Sequence, residues 1–451
     1  MRVGEAGLTA PLAQAAPQSP VERLFQVRQR GSSVTTEVLA GLTTFMTMAY
    51  ILFVNPAILG DAGMPRQAVA VATALAAAIT TLAMGLYANY PFALAPGMGL
   101  NAAVAYGLVA SQGVPWQVAM GVIFVEGAIV TLLVLTRVRE AVMNSIPVEL
   151  KQAIGAGIGL FLAFIGLVNS GVVVDSPATL VTFGSFRDGK VLLTFGGILV
   201  TAALMALRVR GAILLGILLT SLAGIPLGIT HWPQQWVAIP GRESFATFFR
   251  LDVGGALQLG LLSAIFAFLM TDFFDTMGTV VAVGSEAGLL DERGRLPRAK
   301  NVLLVDSLAA VVGGLFGCSS VTTYIESASG VGEGGRTGLS SVVTALCFLL
   351  SVFFAPIMVI VPPQATAAAL VVVGFLMLAT LVREIQFDRY VDAFPAFVTL
   401  LTIPLTYSIA RGIGYGFIAH CVVKLLAGRG REVHWAMWVI SALFVVSFLW
   451  E

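Results

Sequence analysis

Charge is scarce in this chain. Its 451 residues include only 25 lysines and arginines and 24 aspartates and glutamates, 11% of the total. A water-soluble chain averages about a quarter. The signs nearly cancel, to a formal net charge of +1, so no basic face is offered to nucleic acid. Cysteine is almost missing as well. Cys318, Cys347 and Cys421 stand far apart in apolar stretches, which fits neither a metal site nor a disulfide framework and marks them as small core residues. Only three histidines occur, His231, His420 and His434, all distant from the acids discussed below. A membrane-embedded enzyme would need a metal-ligand cluster or a Ser/His pair, and neither is legible.

What the chain has instead is apolar length: 58% of residues are hydrophobic and 48 are glycine, a composition suited to helices packed closely in lipid. Residues 1–35 form a polar leader without the apolar stretch and cleavage site of a signal peptide, and are expected to stay as a cytoplasmic tail. From Glu37 apolar runs follow one another: 37–59, 67–88, 94–110, 116–136, 148–168, 190–207, 211–229, 254–284, 301–317, 319–331, 337–361, 364–382, 391–427 and 434–450. These predict an all-α polytopic membrane protein with about 14 transmembrane segments. The third and tenth runs are too short or too polar for full helices. The run 391–427 is too long for one straight span, and Pro404 is its expected break.

Alternating sides from a cytoplasmic N-terminus places sixteen basic residues inside and only Arg66, Arg187, Lys190, Arg242 and Arg250 outside, the bias of the positive-inside rule. Arg411, Lys424, Arg429 and Arg431 do not settle. Fourteen spans put the last three outside, against that rule.

The halves repeat. Thr47 in TMAYILFVNPAILGDAG aligns with Thr271 in TDFFDTMGTVVAVGSEAG at an offset of 224 (271 − 47), and Asn101 aligns near Ile325–Glu326 at the same offset. A third match, from Ile146 to Val361, lies at 215. Seven spans per half is odd, so the second copy is inverted. Such repeats place substrate at their interface near the midplane.

An acid at a helix centre in lipid costs about 2.5–3.5 kcal/mol on insertion scales, so each needs a reason. Glu126, Asp272, Asp275, Asp306 and Glu326 lie within the runs. Asp272 and Asp275, three apart, share one helix face. Glu326 follows GCSSVTTYI, and Asn101 follows Pro96, Gly97 and Gly99. Both compositions predict a short extended stretch leading into a half-helix, tolerated at depth only where it lines a cavity. Blander roles stand beside these. The two aspartates could bond Thr271, Thr276 and Thr279; Asn101 could merely cap its half-helix; Phe273, Phe274 and Tyr324 could be ordinary core. Asp306 and Glu126, isolated in apolar runs, read as contacts between helices. Two motifs are decoys. Gly330–Thr337 mimics a phosphate loop but lacks the strand and the Walker-B acid that motif needs. Gly155-Ala-Gly-Ile-Gly159 mimics a dinucleotide fingerprint but lies within a span, as a packing motif.

The strings TTFMTMAYILFVNPAIL, ALAPGMGLNA, FDTMGT and TTYIESASGVGEGGRTGLSSVV resemble the AzgA-like purine permeases of the nucleobase–cation symporter group, over about residue 20 to the C-terminus. The resemblance implies the uracil-permease fold of fourteen segments in two inverted repeats of seven. It implies a core domain of 36–136 and 254–361 and a gate domain of 137–253 and 362–451. It further implies proton-coupled import of adenine, guanine and hypoxanthine across the cell (inner or plasma) membrane by alternating access, in a homodimer joined through the gate domain. The family's binding positions fall on Asn101, Asp272, Asp275 and Glu326. Phe273 and Tyr324 are the ring-covering candidates, and Asp272, Asp275 and Glu326 the proton-coupling candidates. No cofactor or metal is expected beyond the coupling ion, for which sodium is the alternative to the proton.

Chemistry runs the same way. A purine carries N–H donors on its edge and two apolar faces, and buried carboxylates accept those donors while rejecting analogues that lack them. Xanthine, urate or a pyrimidine are the alternative substrates. An anion carrier of the same architecture is a further alternative, but it should rely on helix N-termini and cations, whereas this site has three acids and no lysine or arginine within the broken segments.

Overall fold

A computed structural model of the chain describes residues 19–136, 146–291 and 296–450. Most of the expected tail, the 136/137 domain boundary with Arg137 and Arg139, and Arg293 and Arg295 lie outside the described residues. The first long helix, α1 (Val34–Met48), is capped by the Ser33 hydroxyl, which accepts from the Thr36 amide at 3.1 Å. It bends at Ala49–Tyr50 into α2 (Ile51–Asp61). Next comes α3 (Arg66–Ala83), widened at its end by a π turn. Strand β1 (Leu94–Pro96) leads into the short helix α4 (Met98–Ala102), whose apolar continuation reaches Ala110. α5 (Trp116–Thr136), α6 (Val148–Asn169), α7 (Gly189–Ala206) and α8 (Ala212–Ala223) complete the first half.

The second half repeats the order with α9 (Leu262–Glu286) and α10 (Ala299–Phe316), then the strand Val321–Thr323 and the half-helix α11 (Ser327–Gly332). α12 (Gly338–Ser351), α13 (Pro363–Leu381), α14 (Tyr390–Thr406), α15 (Ile409–Leu426) and α16 (Trp435–Trp450) follow. Among the described residues, ten helical stretches are long and apolar enough to cross a bilayer. One element was not foreseen: an exposed antiparallel hairpin of β2 (Val173–Ser176) and β3 (Leu180–Phe183) joins α6 to α7. The strand Val321–Thr323 is therefore β4.

The two broken segments meet. β1 and β4 pair antiparallel, with Leu94 opposite Thr323, Ala95 opposite Thr322 and Pro96 opposite Val321. The Gly97 amide donates to Ser320 O and the Tyr324 amide to Ala93 O, each at 2.9 Å. Each extended stretch thus satisfies the other's backbone inside the helical bundle, as irregular backbone at membrane depth requires. Thr81 secures the entrance to β1, its hydroxyl both donating to Leu94 O and accepting from Leu94 N.

Glycines set the closest helix approaches. A Cβ on Gly374 of α13 would meet Gly159 O of α6 at 2.3 Å, and one on Gly159 would meet Gly374 O at 2.6 Å. The Gly155–Gly159 run is thus a packing surface, turned also toward Leu381 and Ile403. α6, α7 and α8 pack on α13, and α14 joins α6. Separately, α12 packs on α1 and α3, and α10 on α5 and α3.

The run 391–427 breaks later than expected. α14 continues through Pro395 and Pro404 and ends at Tyr407, which is left-handed at φ 52°. Ser408 then caps α15, its hydroxyl accepting from the Arg411 amide. A proline removes one helical hydrogen bond, whereas a left-handed residue turns the chain out of the helix. α14 and α15 pack against each other, and Lys424 near the end of α15 pairs with Asp392 at the start of α14 at 2.7 Å. The chain has therefore doubled back. Lys424, Arg429 and Arg431 thus lie at the end of the bundle where α14 begins, the end that also carries Arg389.

Candidate functional site

β4 stands among three carboxylates because successive strand side chains point to opposite faces. Ser320 and Thr322 turn toward α9, where their hydroxyls lie 3.5 Å from Asp272 Oδ1 and 3.4 Å from Asp275 Oδ2. Thr323 turns the other way, to Asp306 on α10. The three bonds at Asp306 are short: 2.9 Å from the Thr323 amide, 2.8 Å from its hydroxyl and 2.7 Å from the Thr276 hydroxyl. Asp306 is a structural tie between α9, α10 and β4, as its isolation suggested. Asp275 differs. Among the described residues its one hydrogen bond is the long contact with Thr322, which leaves acceptor capacity for another donor.

Glu326 immediately precedes α11, half-buried. Its Oε1 accepts from the Tyr50 hydroxyl at 2.5 Å, and no ion pair among the described residues reaches Glu326 or Asp275. Asn101 lies on α4, fully buried. Its Nδ2 is 3.5 Å from Pro96 O, while its Oδ1 has no partner among the described residues. The same Pro96 carbonyl accepts the Tyr324 hydroxyl at 2.5 Å. Tyr324 thus braces the strand crossing. Phe273 is fully buried, and the Phe274 side chain lies outside what is described. The apolar surface open beside the acids belongs to Ile325, 48% exposed.

Exposure along α9 is uneven. Asp275, Gly278, Ala282 and Ser285 recur at three- and four-residue spacing on one face of α9, and all are exposed. Residues 267–273 nearer its N-terminus are buried, Asp272 at 0%. The exposed face of α9 thus begins at Asp275, while Glu326 is half-buried and Asp272 and Asn101 are fully buried. The end of the bundle where α9 finishes carries the arginines. Tyr90 donates to Pro297 O just beyond α9, and Arg30 lies 5.3 Å over the Tyr90 ring and donates to Asn89 O and Arg336 O.

A polar cluster stands at the opposite end of α3 and lines a small cleft there. Tyr106 donates to Asp61 Oδ2 at 2.8 Å, and the Asn169 amide lies 2.9 Å from Asp61 Oδ2 and 2.6 Å from the Tyr106 hydroxyl. Arg66 pairs with Asp61 at 3.2 Å. Asn169 comes from α6 and the others from the α2–α4 region, so the cluster bridges two groups of helices.

Three buried or bridging polar side chains escaped sequence reasoning: Tyr50, Asn169 and Glu37. Glu37, fully buried, accepts from the Arg336, Thr337 and Ser340 amides at 2.9, 3.3 and 3.3 Å, and from the Ser340 hydroxyl. The loop that mimics a phosphate-binding motif does bind an anion. It is the protein's own carboxylate, seated at the N-terminus of α12.

The chain is 44% identical to the adenine permease AdeP of Escherichia coli over 436 residues, covering 97% of each chain. It is 44% identical to the guanine/hypoxanthine permease PbuG of Bacillus subtilis over 439 residues, covering 95% of this chain and 99% of that one. The transmembrane domain of the cyanobacterial bicarbonate transporter BicA shares the fold, with a TM-score of 0.64 at 17% identity over 83% of this chain and 96% of that domain. The Permease family matches residues 35–414, and with relatives of this identity along nearly its whole length, the chain belongs to that family.

Proposed function

We propose that this permease imports purine nucleobases, adenine, guanine and hypoxanthine among them, by proton symport across the cell membrane. The observation that carries the reading is the pair Asp275 and Glu326: two carboxylates, one exposed and one half-buried, with no ion pair to either among the described residues. Such a pair accepts N–H donors from a neutral ring and repels an anion. This separates the chain from the bicarbonate transporter whose fold it shares, and the names of its 44%-identical relatives point to purines.

The working parts follow the two groups of helices. Residues 36–136 and 254–361 act as the core that carries the site, and 137–253 and 362–451 as the gate against which it moves. The antiparallel β1–β4 pair has a local two-fold axis, the relation expected of two inverted repeats of seven segments, and α14 and α15 form a hairpin within the last of them. With the arginine-bearing end in the cytoplasm, the site is open inward and closed outward by Asp61, Tyr106 and Asn169. Proton binding from outside neutralises Asp275 or Asp272, substrate donors engage Glu326 and Asn101, and the loaded core turns inward. The gate helices also offer the surface for a homodimer.

The test is uptake of labelled adenine, guanine, hypoxanthine, xanthine, uracil and bicarbonate by cells lacking their own permeases, with and without an uncoupler. Purine accumulation that collapses with the uncoupler is expected. Uptake of bicarbonate but no base would overturn the assignment, and uncoupler-resistant accumulation would remove the proton.

A further inference from the structure

Tyr50 stands where α1 bends into α2, with none of its surface exposed. Its ring belongs to the apolar core, yet its hydroxyl reaches 2.5 Å to Glu326 Oε1, across 276 positions of sequence. A phenol can only donate to a carboxylate, and a donor to a charged acceptor forms a short, directional bond. Thr47, one turn earlier, lies 3.4 Å from the Glu326 carbonyl oxygen. The bend in the first segment thus holds Glu326 twice, by backbone and by side chain. The other titratable side chains bearing on this pair are Tyr324 from the end of β4 and Asp275 from α9.

We propose that Tyr50 is a positioning residue for nucleobase recognition: by occupying Glu326 Oε1 it fixes the carboxylate plane and turns Oε2 toward a ring N–H of the substrate. The proposal rests on the reading of Glu326 as a purine ligand. Fully buried, Tyr50 touches no substrate, and its effect passes through Glu326 alone. Selectivity for a base presenting an N–H at that edge is then set jointly by the first and tenth segments.

The experiment measures uptake of hypoxanthine and of its 1-methyl and 9-methyl derivatives, each lacking one ring N–H, by wild type, Tyr50→Phe and Glu326→Gln. Removing one orienting bond should raise KM for hypoxanthine about tenfold with Vmax changed less than about twofold. Discrimination against the methylated base that wild type rejects should fall by a similar factor. A merely structural role would lower uptake of all three bases in proportion and leave the ratio intact, and that result overturns the proposal. So does a Tyr50→Phe variant with unaltered KM and ratio when Glu326→Gln has lost both. If Glu326→Gln itself keeps wild-type KM and selectivity, the reading of Glu326 as ligand fails instead. Should Tyr50→Phe not accumulate in the membrane, 3-fluorotyrosine at position 50 keeps the shape and strengthens the donor. KM is then expected to fall, and an unchanged KM counts against the proposal.

Discussion

At the scale of single residues, the acids divide by how fully their oxygens are engaged. Among the described residues Asp306 accepts at least three short bonds and Asp275 one long one, so Asp275 keeps the greater capacity for a proton or a donor. Asp275→Asn should therefore abolish accumulation driven by a pH gradient, bringing the inside-to-outside ratio to about one, while exchange of labelled for unlabelled base persists. Concentrative uptake undiminished in that variant removes Asp275 from coupling. Glu326→Gln, which replaces an acceptor by a mixed donor and acceptor, should raise KM by roughly tenfold or more, read in the same uptake assay. Asn101, Asp272, Asp275 and Glu326 were legible in the sequence because a polar group amid apolar neighbours is conspicuous. Tyr50 and Glu37 were not. A tyrosine near a span centre looks like core, a glutamate at a span edge looks like a solvated cap, and their partners lie 276 and about 300 positions away.

At the scale of elements, Glu37 joins α1 to the start of α12 and saturates amides that nothing else in lipid would serve. Glu37→Ala should lower stability by about 2–4 kcal/mol, since each donor left unmet costs about 1–3 kcal/mol, visible as a lower Tm of the purified protein in detergent. Gly374→Ala places a methyl against Gly159 O and should force α6 from α13, at a cost of about 1–3 kcal/mol. The loop after α15 responds to acid. Arg429 and Lys424 hold the Glu432 carboxyl well below its ordinary 4.5, at about 2. A lowered folded-state value means the contribution is present above about 4.5 and is lost as pH falls toward 2. Corrected for the intrinsic exchange rate at each pH, the protection of the amides of residues 428–433 should therefore fall across that window, and unchanged protection counts against the pairing. Most spans were readable from apolar length alone, and the two half-helices from the Pro/Gly and Ser/Thr interruptions before them. The turn at Tyr407 was not, because Pro404 is the more obvious breaker and nothing in a lone tyrosine announces a left-handed backbone. The β2–β3 hairpin was hidden for a related reason: it lies between spans, where apolar runs are not sought.

At the scale of the whole molecule, the closed end depends on one side chain from the α6 group. Asn169→Ala removes both of its bonds to Asp61 and Tyr106 and should favour the outward-open state. A cysteine placed at Thr366, in the same cleft, should then react severalfold faster with an impermeant maleimide added outside, and saturating purine should alter that rate. Equal rates in both backgrounds would show that the cluster is not what closes this end. The strand pair has a consequence of another kind. Leu94–Pro96 finds its strand partner at Val321–Thr323, and 321 − 96 = 225. At about 5–20 residues per second of synthesis, the ribosome needs some tens of seconds to deliver the second strand. Through that interval the first half supplies Leu94 with the Thr81 hydroxyl but Pro96 O with only the 3.5 Å contact from Asn101, so the backbone of Ala95 and Pro96 should stay hydrated until the tenth segment arrives.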